Sequence, residues 1–291
     1  MKHKLLALFF VMSLCPIWAQ QHNDSLALRN AAIVAGSEGV LYVGSMFALH
    51  QLWFKDCPWV GIQTINDNND WLQMDKFCHA TTAYHLCLVG DESIRLTGLS
   101  PRRSALYGGA FSLLYMTSIE IMDAGHEGWG FSWGDMIADV GGITLYTSQQ
   151  MFWGEQRISL KYSFHPTEYA QYNPDELGHS MVSQALKDYN GITIWTCFNV
   201  KELCLDKESD FPEWLTVDLG YGAKGMTAPQ PTSDFDRVRQ FYLAPGIDLA
   251  KLPVENSYLK TLLKVLSFIK LPTPALEYNA SDQFVWHWLY F

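Results

Sequence analysis

The sequence predicts an α+β fold: an N-terminal four-helix bundle with segments of membrane-spanning length, then a small, mainly antiparallel sheet with two helices. Three observations lead there. Before Trp153 the chain holds four long apolar segments, at 30–53, 71–90, 101–123 and 133–153. After Trp153 apolar residues alternate with polar ones in the manner of strands, and capping or turn residues separate the pieces. The expected organisation is a signal peptide over 1–19, the bundle with a polar cluster over 30–153 and an α+β region over 154–291.

At the N-terminus, Lys2, His3 and Lys4 precede an apolar run from Leu5 to Leu14, and Ala19 precedes Gln20 and Gln21. That order of basic, apolar and small residues is an export signal. Cys15 follows Leu14 where a lipidation box wants a small residue, which favours cleavage at Ala19 over a lipid anchor. Cleavage leaves Cys57, Cys78, Cys87, Cys197 and Cys204, an odd set with no metal spacing. Cys197 and Cys204 are spaced for a local disulfide, with buried free thiols as the alternative.

Each bundle segment carries its own boundary. Asp70 with Gln73 reads as a capping box, Ser100 stands before Pro101, and Ser132 with Asp135 forms a second box. Short connections favour antiparallel neighbours. Trp53, Trp59, Trp71, Trp129, Trp133 and Trp153 fall at the ends or connections of these segments, as in an interfacial belt or in the end covers of a water-soluble bundle. Four spans would leave the connection bearing Arg95, Arg102 and Arg103 on the periplasmic side, against the positive-inside tendency.

In the second half, Ile158 to His165 and Leu215 to Tyr221 alternate strictly, and further strands are expected at 192–200, 238–249, 274–279 and 284–291. Asn173-Pro174 opens a helix expected to end near Asn190-Gly191, and Leu259, Leu262, Leu263, Leu266 and Ile269 mark an amphipathic one. About six strands fall short of an eight-stranded membrane barrel, so a small sheet with helices on it is preferred.

The candidate chemistry lies in the bundle. Asp75, Lys76 and His79 open the second helix, Glu120 and Asp123 close the third, and Asp135 and Asp139 open the fourth. With alternating helix directions those three regions share one end. Five carboxylates against one lysine and one histidine need a cation or retained protons. Asp75, His79, Glu120, Asp123 and Asp139 suit a hard or borderline divalent metal, with Lys76 steadying an anionic group. The structural alternative pairs Lys76 with Glu120 or Asp123 and leaves Asp135 as a helix cap. The connection Gly125 to Gly130 is positioned to cover that end or to supply further ligands. A formal charge of -10 without a basic run excludes a nucleic-acid partner, and Tyr221 to Gly225 lacks the spacing of a phosphate loop.

The ordered set Asp75-Lys76-x-x-His79, Glu120-x-x-Asp123 and Ser132-x-x-Asp135-x-x-x-Asp139-x-Gly141 resembles the predicted periplasmic lipoproteins called domain of unknown function 2279. It is more distantly similar to VanZ-like membrane proteins, which have a glutamine where Asp123 stands and an asparagine near Asp139. The resemblance implies an envelope location and supplies no reaction. Two functions follow as expectations. One is an envelope protein whose cluster binds a cation, an anionic envelope lipid or a cell-wall fragment, with hydrolysis as an extension. The other is a non-catalytic structural or assembly factor that docks on an outer-membrane protein through its C-terminal sheet and aromatic Phe284 to Phe291.

Overall fold

The computed structural model describes residues 25–205, 208–233 and 235–291. The expected signal peptide and Cys15 lie outside the described residues. The fold mixes helices with one six-stranded antiparallel sheet.

Four long helices come first: α1 (Ser25–Leu49), α2 (Met74–Arg95), α3 (Pro101–Gly125) and α4 (Trp133–Phe152). Three of them, α2, α3 and α4, pack closely on one another. Small residues permit the approach: a Cβ on Gly108 of α3 would stand 2.6 Å from the Asp91 nitrogen, and one on Gly142 of α4 would stand 2.0 Å from the Ala80 carbonyl oxygen. By contrast, α1 lies along the others through Tyr42, Met46 and Leu49, which meet Ala83, Tyr115 and Met116. Its apolar residues run round the whole circumference, so no single stripe commits it to a core. The helical part is therefore three mutually packed helices with a fourth laid beside them, not a bundle shared evenly by four. Among the described residues, Arg29–Phe54 is the one helix long and apolar enough to cross a membrane.

The capping signals divide. Ser132 caps α4 as expected, its Oγ accepting from the Asp135 nitrogen at 3.2 Å. Asp70 and Gln73 form no capping box; Asp70–Gln73 is a 3-10 turn in which Trp71, Leu72 and Gln73 hold positive φ of 48°, 50° and 67°. The turn is anchored from the C-terminal region: Trp71 N donates to Pro229 O at 3.1 Å, Tyr221 Oη to Leu72 O at 2.5 Å, and Arg239 Nη2 to Gln73 Oε1 at 2.8 Å. Those tertiary contacts override the local preference for a helix start, and α2 begins only at Met74.

A two-residue parallel pair, β1 (Thr64–Ile65) with β2 (Phe131–Ser132), links the connection before α2 to the start of α4. It is too short to leave a periodic trace in the sequence. The large sheet is a meander of β3 (Ile158–Phe164), β4 (Ile192–Asn199), β5 (Leu215–Lys224), β6 (Val238–Ile247), β7 (Thr273–Asn279) and β8 (Gln283–Tyr290). All six expected strands are present. The helix expected from Asn173 to Asn190 is broken at Gly178 into α5 (Pro174–Leu177) and α6 (Met181–Lys187), and Ser180 starts the second piece with its own capping box. Two more helices are α7 (Val200–Cys204) and the amphipathic α8 (Ser257–Val265). Cys57, Cys78, Cys87, Cys197 and Cys204 are all free thiols.

The sheet curls so that Thr193 Oγ1 of β4, its second strand, stands 3.0 Å from Tyr290 Oη of β8, its last. Trp195, Cys197, Tyr242, Ala244, Ala275 and Tyr290 pack inside the curl. On the outward side, Ile192 and Ile194 join Met74 in a buried cluster, and Leu160 joins Tyr84, Cys87 and Tyr146. These two clusters seat α2 against β3 and β4.

Candidate functional site

The alternating helix directions bring the start of α2, the end of α3 and the start of α4 together, and Asp75, Lys76, His79, Glu120, Asp135 and Asp139 meet there. Glu120 and Asp139 are fully buried, Asp135 nearly so, and the open side is formed by Asp75, Lys76 and His79, each partly accessible. His79 stands at the centre. Its Nδ1 is 3.1 Å from Asp139 Oδ1 and 3.9 Å from Glu120 Oε1, while its Nε2 is 3.9 Å from both Asp75 Oδ1 and Asp135 Oδ1.

Two chemically different halves result. On the Nε2 side Lys76 supplies the positive charge: its Nζ is 2.8 Å from Asp135 Oδ1, 2.8 Å from Asp67 Oδ2 and 3.1 Å from Asp75 Oδ2. The pairing of Lys76 with Glu120 or Asp123 does not occur; its extended reach along the α2 start leads to α4 and the β1 connection instead. On the Nδ1 side Glu120 Oε2 accepts from the Ser132 backbone nitrogen at 2.9 Å, but Glu120 Oε1 and Asp139 Oδ2 are buried with no hydrogen-bond partner. His79, Glu120 and Asp139 present ligand atoms close enough to share one ion, as do Asp75, His79 and Asp135.

The electrostatics follow from this geometry. Burial pushes the Glu120 carboxyl up to about 7, only partly offset by the Ser132 nitrogen, and the charges of Asp139 and Asp75 push the same way. Burial and then the Asp75 charge push Asp135 up to about 7 as well. Burial would raise Asp75 too, yet His79, Lys76 and a hydrogen bond from Tyr189 hold it below the usual carboxylate range. For Lys76 and His79 burial acts downward, and the surrounding carboxylates outweigh it: both stay protonated to higher pH than usual.

Asp123, expected among the ligands, stands one turn beyond Glu120 and contributes to neither ligand group. Its carboxyl is raised well above the normal range by burial and by neighbouring Glu120. The Gly125 to Gly130 connection lends no side chain. His126 turns away, stacking on Phe54 with ring centroids 4.5 Å apart, and its Nδ1 hydrogen-bonds to the Met122 carbonyl at 2.7 Å.

Two participants escape a reading by helical spacing. Asp67 bridges Lys76 and Ser132, accepting from Ser132 Oγ at 2.6 Å; its only trace in the sequence is the polar run Asn66 to Asp70. Tyr189 donates from its hydroxyl to Asp75 Oδ1 at 2.7 Å across 114 positions. No local pattern marks it.

No curated protein and no solved structure matches the chain. Residues 59–149, which span every member of the cluster except Tyr189, match the family model described as predicted periplasmic lipoprotein, domain of unknown function 2279, and the chain is an exported protein of the Gram-negative cell envelope.

Proposed function

We propose that this envelope protein binds a divalent cation between Glu120, Asp139 and His79. The observation that supports it is the pair of buried, unpartnered oxygens, Glu120 Oε1 and Asp139 Oδ2, on the side of His79 that Lys76 does not serve. A buried carboxylate oxygen without a donor is expensive, and a cation is the ligand that satisfies two at once. Two carboxylates and one imidazole suit a hard or borderline ion such as manganese, magnesium or zinc. An ion there, with Lys76 at the open side, is placed to hold an anionic envelope lipid or cell-wall fragment. Activation of a bound water for hydrolysis is the catalytic extension of the same reading.

The test is elemental analysis of the purified chain beside a Glu120→Gln/Asp139→Asn variant, with thermal melts in chelator and in added metal. The expected result is one cation per chain, lost in the variant, and a melting temperature that rises with metal only in the wild type. Absence of metal from both, with melts indifferent to chelator and to added ions, refutes the reading.

A further inference from the structure

An antiparallel sheet in water that packs one face turns its other face out polar. Here the inward face of the curled sheet is already packed: it holds the cluster around Trp195, Tyr242 and Tyr290 and also buries Lys161, Ser163, Thr193, Asp218, Glu277 and Asn279. Its outward face, where α2 does not cover it, exposes Val217, Leu219, Phe241, Leu243, Tyr278 and Trp286 to between 42% and 53%. An apolar exterior on a sheet whose inward face is already packed calls for an apolar phase against it.

α1 shows the same exposure on a separate element: only 6% of its apolar window is buried, and Val40, Leu41, Val43 and Phe47 stand 65% or more exposed. A protein partner of ordinary size covers one patch; a lipid phase covers both surfaces. Charge is also complementary to an anionic surface. Exposed Arg29 begins the apolar run; Asn30 beside it donates to the Leu96 carbonyl at 3.0 Å, and exposed Arg102 and Arg103 follow in the first turn of the next helix. At the other end, exposed Lys55 and Trp59 close the run. Basic and aromatic residues bracketing an apolar stretch sit at headgroup level. At ~1.5 Å per residue the helix is long enough for a hydrocarbon layer of about 30 Å.

We propose that α1 and the outward face of β5 to β8 lie against the acyl chains of an anionic phospholipid bilayer, with Arg29, Arg102 and Arg103 at its phosphates. The test uses the full chain and vesicles of phosphatidylethanolamine with a minority of phosphatidylglycerol. The wild type is expected to float with these vesicles, and less with neutral phosphatidylcholine. In parallel, p-benzoylphenylalanine replaces Leu219, and in a separate protein the exposed Gln171 as control. Illumination is expected to give a phospholipid adduct at position 219 several-fold above that at 171. An adduct at 219 to a second copy of the chain or to another protein, equal lipid adducts at both positions, or a wild type that stays out of the floating fraction overturns the proposal.

Discussion

Replacing Lys76 by methionine isolates the electrostatics of the cluster. The ammonium lies within about 3 Å of three carboxylates and its side chain is only 13% exposed, so the substitution removes the one amine shared by Asp67, Asp75 and Asp135 and leaves His79 as the remaining counter-charge of the last two. Breaking a buried pair in this way costs about 3–5 kcal/mol. For a chain of this size that is a fall of roughly 6–20 °C in melting temperature. The sign of its pH dependence is fixed by Asp135. Its carboxyl titrates near 7 in the fold and near its ordinary 3.8 when unfolded, so between those values the folded chain holds the extra proton. Stability from this group is therefore present at low pH and lost as pH rises through about 7. The loss caused by Lys76→Met, measured in chelator by tryptophan fluorescence, is expected to be large at pH ~8 and much smaller at pH ~5. Manganese is expected to restore part of it, because Asp75, Asp135 and His79 Nε2 then form a second vacant ligand group. A variant melting within about 1 °C of the wild type at the higher pH, or a loss independent of pH, refutes the argument.

Other outcomes follow from the same geometry. Glu120→Gln removes a buried charge that the Ser132 nitrogen and His79 compensate only in part, so in chelator above neutral pH the variant should melt higher, by roughly 2–3 kcal/mol of stability, while losing its response to metal. Gly142→Ala places a Cβ 2.0 Å from the Ala80 carbonyl oxygen and should cost at least about 2–3 kcal/mol in a denaturant melt. Burial would raise Glu277, but hydrogen bonds from Gln240, His287 and Asn279 prevail and lower it. Its stabilisation is thus present above the unfolded value and lost as pH falls through the folded one. Glu277→Gln should be destabilising at pH ~7, by about 1–2 kcal/mol, and less so as the pH is taken below the ordinary carboxylate range, as read from melts across that range.

The sequence foretold the parts of the fold that are written in short-range periodicity. All six strands and the Ser132 cap are legible because a curled sheet with one apolar face must alternate, and because a cap is a contact across three residues. What was not legible depends on contacts between distant segments. The helix expected from Asn173 to Asn190 is interrupted at Gly178, and the apparent box at Asp70 is captured by Pro229, Tyr221 and Arg239. In the cluster, helical spacing identified six of the residues that meet, since positions one turn apart share a face. It also suggested Asp123, which that same turn carries beyond contact with His79, and it was silent on Asp67 and Tyr189, which arrive from loops. The partner of Lys76 was misjudged for a related reason: spacing gives the face of a helix, but not how far a flexible amine reaches along it.

The left-handed turn at Trp71 to Gln73 bears on what counts as a module in this protein. Three consecutive non-glycine residues at positive φ are held only while something outside the turn holds them, at about 1–3 kcal/mol each. Here the restraint comes from Tyr221, Pro229 and Arg239, all beyond residue 153, and Tyr189 fixes the neighbouring Asp75 from the same side. A fragment cut after the helices would keep every acidic residue of the cluster yet release the turn that aims two of its side chains, Asp75 and Lys76. The stretch of sequence that carries the motif is thus shorter than the piece of chain that gives the motif its shape.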